Sequence, residues 1–192
     1  MSDPDQWEHG IPWSAFGGNE VVTALKASRQ RIEGVFADLL SGYALRAEDV
    51  LNEVARVNDY SGLVGMRGIS YYSLCAHHFL PFFGAATVVY EPGDVITGLG
   101  KIVRLVKEVH ARRLQIQELM AKSIADDLVR VLNVKGVAVI TTAKHLCICS
   151  RGPSDDSADA IAFYATGTLA GYTISQISTQ VDATDTCRKA RT

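Results

Sequence analysis

Two short segments, far apart in the chain, concentrate its reactive side chains: Cys75-Ala76-His77-His78 and His145-Leu146-Cys147-Ile148-Cys149. Between them they hold three of the five histidines and three of the four cysteines. Each falls at or near the end of a predicted strand. The C-x2-H spacing lets Cys75 and His78 converge on one ion only where the strand gives way to a turn or bulge, because strict alternation sends them to opposite faces. Pro81 and Gly84, just downstream, supply turn residues. In the second segment alternation predicts His145, Cys147 and Cys149 on one face, neighbours about 7 Å apart at about 3.4 Å per residue. One of those cysteines then completes a three-ligand set. Two thiolates and an imidazole suit zinc, and three protein ligands leave a position for water, the catalytic rather than the structural arrangement. Zinc lowers the pKa of such a water to about 7. The remaining His77 and His145 would lie beside the metal with pKa values suited to proton transfer. For any one of these residues the competing reading is a buried thiol or a hydrogen-bonded core histidine. Jointly that reading weakens, since core cysteines have no reason to gather beside histidines in two distant segments. A closed structural site with Cys149 as fourth ligand is the stronger competitor.

The rest of the composition bounds the setting. At 192 residues and 20.8 kDa the chain is one domain, or one domain with a helical arm. A hydrophobic content of 47% with 21% charged residues excludes disordered, coiled-coil and collagen-like classes. Nineteen basic against 21 acidic residues, net -2, argue against nucleic acid or an anionic membrane as partner, while leaving room for local basic clusters. No apolar run approaches the roughly 20 residues that span a bilayer, and the acidic start is unlike a signal peptide. The expectation is a soluble, cytoplasmic protein. In such a compartment Cys75, Cys147, Cys149 and Cys187 point to metal, catalysis or buried thiols rather than to a disulfide framework.

The elements that must position these groups follow from periodicity. The first eighteen residues show no period and read as an arm. Apolar residues from Val21 to Leu40 recur at helical steps, with Asn19 as cap and Gly42 as stop, and a second helix is expected over residues 46–57. Residues 63–79 read as a strand punctuated by Gly65 and Gly68, turning through Pro81-Phe82-Phe83-Gly84 into a partner over 85–91, which Pro92-Gly93-Asp94 closes. Helices are expected over 101–110 and 114–132, the latter with Ile116, Met120, Ile124 and Leu128 on its apolar side. Two strands around a tight turn are expected over 137–142 and 144–150, an edge strand or an extension of the last one over 160–164, and a polar, frayed tail from Gln180. This order favours an α+β fold, an antiparallel four-stranded sheet with helices packed on one face and an N-terminal helical arm.

With these residues in view, the stretch from Ile69 to Gly152 resembles the GTP cyclohydrolase I family. The resemblance rests on four motifs in order: Cys75-x-His77-His78, Gly98-Leu99-x-Lys101-Ile102-x-Arg104, Gln115-x-Gln117-Glu118, and His145-x-Cys147-x-x-x-Arg151-Gly152. It implies zinc held by Cys75, His78 and Cys147, with His77 and His145 as catalytic histidines acting around N7 and C8 of the purine. It implies guanine recognition by Glu118 next to Gln117, a carboxylate being able to accept from N1–H and the 2-amino group. Lys101, Arg104 and Arg151 would hold the triphosphate; Lys101 and Arg104, three apart, share a helical face. Without the resemblance, Lys101, Arg104, Gln117 and Glu118 read as ordinary solvated helix positions. The implied reaction is hydrolysis of GTP at C8 with loss of formate, leading to 7,8-dihydroneopterin triphosphate. The implied architecture is the tunnelling fold, in which sheets join around a ring-shaped homo-oligomer, a decamer being one candidate, with active sites between subunits. Exposed sheet edges would be paired by that assembly. Residues 58–192 would form the catalytic domain and residues 1–57 the N-terminal arm and helices.

The sequence also departs from the family pattern. Ala76 stands where Glu is usual, Gly100 where a serine implicated in ribose handling is usual, and Cys149 where Lys is common. The Asp-Thr-Pro-x-Arg helix start is missing, and Asp159-Ala160-Ile161-Ala162-Phe163-Tyr164 replaces a Thr/Ser-rich segment. Two alternatives follow: a divergent paralogue that stops at a ring-opened pyrimidine or takes another purine or pterin, and a non-catalytic zinc-binding regulatory subunit. Retention of His77, His145, Glu118 and Arg151 weighs against the second.

Overall fold

A computed structural model describes residues 19–57 and 60–182; the N-terminal arm and the tail beyond 182, with His9 and Cys187, lie outside the described residues. The chain divides into two compact units, Met1–Asp38 and Leu39–Thr192. Helices α1 (Asn19–Ala27) and α2 (Arg29–Leu39) stand where one helix is expected. Hydrogen bonding carries through their joint, Ser28 N–H reaching the Ala24 carbonyl at 3.1 Å and Ile32 N–H reaching the Ser28 carbonyl at 3.0 Å.

The second unit runs through a 3-10 turn (Ser41–Ala44), α3 (Ala47–Val50), β1 (Val54–Arg56), β2 (Val64–Cys75), β3 (Pro81–Glu91), β4 (Val95–Thr97) and α4 (Leu99–Arg104). A π-helical segment (Leu105–His110) prolongs α4, and β5 (Leu114–Gln115), α5 (Gln117–Leu132), β6 (Gly136–His145), α6 (Leu146–Cys149), β7 (Ala160–Gly167) and α7 (Ile174–Asp182) follow. The class is α+β, as predicted. Strands β2, β3, β6 and β7 form the antiparallel four-stranded sheet, and the two-residue β5 joins β2 in parallel to give the order β5-β2-β3-β6-β7. No helix among the described residues is long and apolar enough to cross a membrane.

Alternation along β3 and β6 splits their side chains between two apolar layers. Phe82, Val88, Tyr90, Val137 and Val139 pack with Met120, Ile124 and Leu128 of α5 and with Ile102, Leu105 and Val109 of α4 and its π-helical extension. Val89, Ala138 and Ile140 turn the other way, where Leu169 of the β7–α7 connection and Ile177 of α7 cover them. Each Leu or Ile so enclosed contributes about 1.5–3 kcal/mol.

Four local expectations are corrected. The helix over 46–57 shrinks to α3, because Val54–Arg56 pair instead with Val95–Thr97, and Thr97 Oγ1 donates to the Glu53 carbonyl at 3.1 Å. The hairpin turn is not Pro81 to Gly84 but residues 76–80: Phe79, at φ 57°, donates its N–H to the Cys75 carbonyl at 2.8 Å, and Cys75 N–H reaches Leu80 at 2.9 Å. Pro81 opens β3, a position that tolerates proline. Gly84 is there for close approach, since a Cβ would lie 1.8 Å from the Thr142 carbonyl oxygen. The helix expected from 114 begins at Gln117, because Leu114 and Gln115 are drawn out to pair with Leu74 and Cys75. Finally, the turn expected before 144 does not occur: Lys144 and His145 end a continuous β6, and the rest of the strand expected over 144–150 is absent. The β3 partner of β6 ends at Phe82 opposite His145, and the β7 partner at Ala160 opposite Ala143. With a ladder on neither side, the chain curls into α6, which Ser150 closes by donating N–H and Oγ–H to the Leu146 carbonyl at 3.0 and 2.6 Å.

Candidate active site

The ends of β2 and β6 lie beside β5 and the start of α5, and this meeting assembles the reactive side chains. Cys75 is the last residue of β2 and is 4% exposed. Its neighbour Ala76 donates N–H to the Gln115 carbonyl at 3.0 Å, which ties the β2 turn to β5. Two residues later Gln117 and Glu118 open α5. His145 ends β6, and the helical turn of α6 brings Cys147, 7% exposed, back toward it.

A cleft of about 250 Å³ results, lined by Cys75, His77, His78, Gln117, Glu118, His145 and Cys147 together with Gln115, Ile116, Ile148 and Ala160. The Cys75 and Cys147 thiols and a ring nitrogen of His145 all lie within 4.8 Å of one another. His77 and His78, both exposed in the β2–β3 turn, each place Nδ1 3.9 Å from Cys75 Sγ. Among the described residues the metal-capable cluster has three members and does not include Cys149.

His145 is the most constrained of the imidazoles. Its Nε2 meets Gln117 Oε1 at 2.8 Å, and its ring stacks on Phe82 with centroids 4.4 Å apart and planes 6° from parallel. Burial holds its pKa below the ordinary 6.5, with the Glu118 carboxylate opposing. Burial thus favours the neutral ring, the form able to accept a proton. Burial, and then the adjacent Cys75, push the Cys147 thiol above its ordinary value, with the Arg151 charge pulling weakly the other way.

Of the residues singled out from sequence, seven thus meet in one cleft. The three cations do not line it. Lys101 Nζ lies 3.1 Å from Glu53 Oε1 and 3.2 Å from Asn52 Oδ1, and Arg104 pairs with Glu108 at 2.9 Å. Arg151 is exposed beyond α6. The predicted common face of His145, Cys147 and Cys149 does not exist, because α6 replaces the strand. Two residues that shape the site were missed. Phe82 is invisible without the β3–β6 register. Thr141, fully buried, could have been flagged as a polar residue inside an apolar strand.

Known proteins are similar to this chain over most of its length. A family model described as GTP cyclohydrolase I matches residues 13–182. The GTP cyclohydrolase 1 of Campylobacter jejuni (strain RM1221) is 43% identical over 136 residues, covering 71% of this chain and 71% of that protein. The GTP cyclohydrolase 1 of Hyperthermus butylicus is 40% identical over 148 residues, covering 77% of this chain and 74% of that protein. Among solved structures, the apo form of the archaeosine synthase QueF-Like matches with a TM-score of 0.44 at 14% identity, over 58% of this chain and 97% of that one.

Proposed function

This chain belongs to the GTP cyclohydrolase I family and is an enzyme of that kind, and on that premise we propose that it is a zinc-dependent hydrolase that opens the imidazole ring of GTP at C8 and releases formate. Residues 58–192 form its catalytic domain and residues 1–57 its N-terminal arm and helices, of which residues 39–57 belong to the same compact unit as that domain. The observation that carries the reading is the convergence in one cleft of two buried thiols, three imidazoles and the Glu118 carboxylate.

The donor set fits the ion. A tetrahedral zinc with sulfur at about 2.3 Å and imidazole nitrogen at about 2.05 Å spaces its donors about 3.6–3.8 Å apart. The 3.9 Å from Cys75 Sγ to Nδ1 of His78 is close to that spacing, and Nδ1 of His77 lies at the same distance. Cys75, Cys147 and His78 are the proposed ligands; the 4.8 Å cluster favours His145 as the alternative third. Bound there, the ion would supply Lewis-acid activation of water at neutral pH.

The chain's own side chains do the rest. Glu118, exposed at the first turn of α5, accepts from guanine N1–H and the 2-amino group. Its hold orients the purine so that N7 and C8 face His77 and His145, which move protons there as the ring opens. Lys101, Arg104 and Arg151 neutralise the triphosphate. Since Lys101 and Arg104 do not line the cleft of their own chain, assembly into a ring-shaped homo-oligomer would bring the cations of one copy to the cleft of another.

One observation favours a second reading of the product. A Cβ at Gly100 would meet nothing within 4 Å, so a serine side chain would fit there and its absence is not enforced by packing. On that reading formate leaves but the ribose rearrangement fails. Incubating the zinc-loaded protein with GTP and following formate and fluorescent pterin separately tests both. Equal yields support the first reading, formate without pterin supports the second, and turnover of no guanine nucleotide overturns both.

A further inference from the structure

Gln117 is 4% exposed, and its amide is committed inside the chain. Nε2 donates to the Thr141 carbonyl at 3.1 Å, to Thr141 Oγ1 at 3.1 Å and to the Ala160 carbonyl at 3.2 Å. An amide nitrogen has two hydrogens, so these three acceptors on β6 and β7 saturate it. Turning the amide over would set Oε1 against two carbonyl oxygens, lone pair against lone pair, in a buried place where that cost is not relieved by water. The backbone of the sheet therefore dictates which way Gln117 points. Its oxygen faces His145 Nε2 at 2.8 Å, and a carbonyl oxygen can only accept. His145 Nε2 must carry the hydrogen, which leaves the lone pair on Nδ1. The Phe82 ring, stacked 4.4 Å away, fixes the plane about which this bond is made.

We propose that Gln117 is a positioning residue that holds His145 in its Nε2–H tautomer, so that this ring takes up a proton or a metal ion only through Nδ1. The inference rests on the reading of the cleft as the active site. It gives Gln117 a task other than direct contact with guanine, because both hydrogens of its amide are engaged within the chain.

The test is 15N NMR of zinc-loaded protein labelled at histidine, with His145 assigned by the signals that vanish in His145→Asn. Protonated and unprotonated imidazole nitrogens are separated in shift, and the expected spectrum has His145 Nε2 protonated and Nδ1 not. Finding Nδ1 protonated overturns the proposal. Gln117→Met keeps the length of the side chain and removes the acceptor. In that variant the His145 signals should move toward a mixture of tautomers, and kcat should fall about 10- to 100-fold, the usual cost of losing such an outer partner, with KM for GTP changed less than about twofold. Gln117→Met that raises KM while leaving kcat and the tautomer intact would make Gln117 a substrate contact and sink the idea. If that variant does not fold, the native spectrum still decides the matter. Should the native protein turn over no guanine nucleotide, the functional reading fails, while the tautomer is still read from the spectrum.

Discussion

Phe82 and His145 face each other across the β3–β6 ladder as directly opposed residues, with ring centroids 4.4 Å apart and planes 6° from parallel. Phe82 is fully buried, and its ring also packs edge-to-face with that of Tyr71, centroids 6.0 Å apart and planes at 80°. A core side chain thus serves as one wall for a cleft histidine. Phe82→Leu keeps the apolar character and most of the volume and loses the flat face. The expected cost is about 1–2 kcal/mol of stability, seen as a melting point several degrees lower, with zinc content retained and kcat reduced more than KM is raised.

Metal analysis distinguishes ligands from proton carriers. Cys75→Ala and Cys147→Ala should each lose bound zinc along with turnover, while His77→Ala should keep zinc and lose turnover. His78→Ala should fall below one zinc per chain. If His145→Ala is the variant that empties instead, the third ligand is His145. Chelation should abolish turnover of the native protein, and added zinc should restore it.

Gly100 offers a gain-of-function test. It lies in α4 with open space where a Cβ would stand. Gly100→Ser should be neutral or stabilising by a few tenths of a kcal/mol, about the difference in helix propensity. Under the divergent-product reading, the variant should yield more pterin per formate than the native protein. An unchanged ratio would show that Gly100 does not limit the later steps.

Away from the cleft, His110 of the π-helical segment is 2% exposed and meets Asp127 of α5 through Nε2 at 3.0 Å, while Arg130 bridges Asp127 and Glu48. Burial raises the Asp127 pKa, but the hydrogen bonds and charges of His110 and Arg130 outweigh it and hold the carboxyl below its ordinary 3.8. Because the folded value is depressed, the contribution of Asp127 is complete above the unfolded pKa and is lost as pH falls through the folded one. Stability measured by denaturation should therefore drop below about pH 4 in the native protein. Asp127→Asn should be less stable at pH 7 and show a shallower acid loss over the same interval.

How much could be read before folding is clearest at α5. Its apolar stripe of Met120, Ile124 and Leu128 is legible because a 3.6-residue period is a local property. The two residues just before it are not. Leu114 and Gln115 form a strand only because β2 offers a free edge, and a two-residue ladder is too short to leave a period. Yet that ladder ties Gln115 to the turn after Cys75 and so brings Gln117 and Glu118 into the cleft. Without the family resemblance, Gln117 reads as an ordinary polar helix position. Its burial against Thr141 and Ala160 depends on the β6–β7 pairing, which no local pattern encodes.

The thiols and imidazoles illustrate the same division. Their identities, their grouping in two segments and their suitability as donors to a zinc-like ion follow from residue type and spacing alone, because donor chemistry belongs to the side chain. That these segments end strands is also legible. Whether Cys147 continues the strand or turns back toward Cys75 is settled by where β3 and β7 stop pairing with β6, and those ends belong to other parts of the chain. The protonation of His145 is one step further removed: it follows from an amide whose orientation is set by two backbone carbonyls on neighbouring strands. A hydrogen bond is directional and short-ranged, so it can assign a proton only once tertiary packing has brought its two partners within about 3 Å of each other.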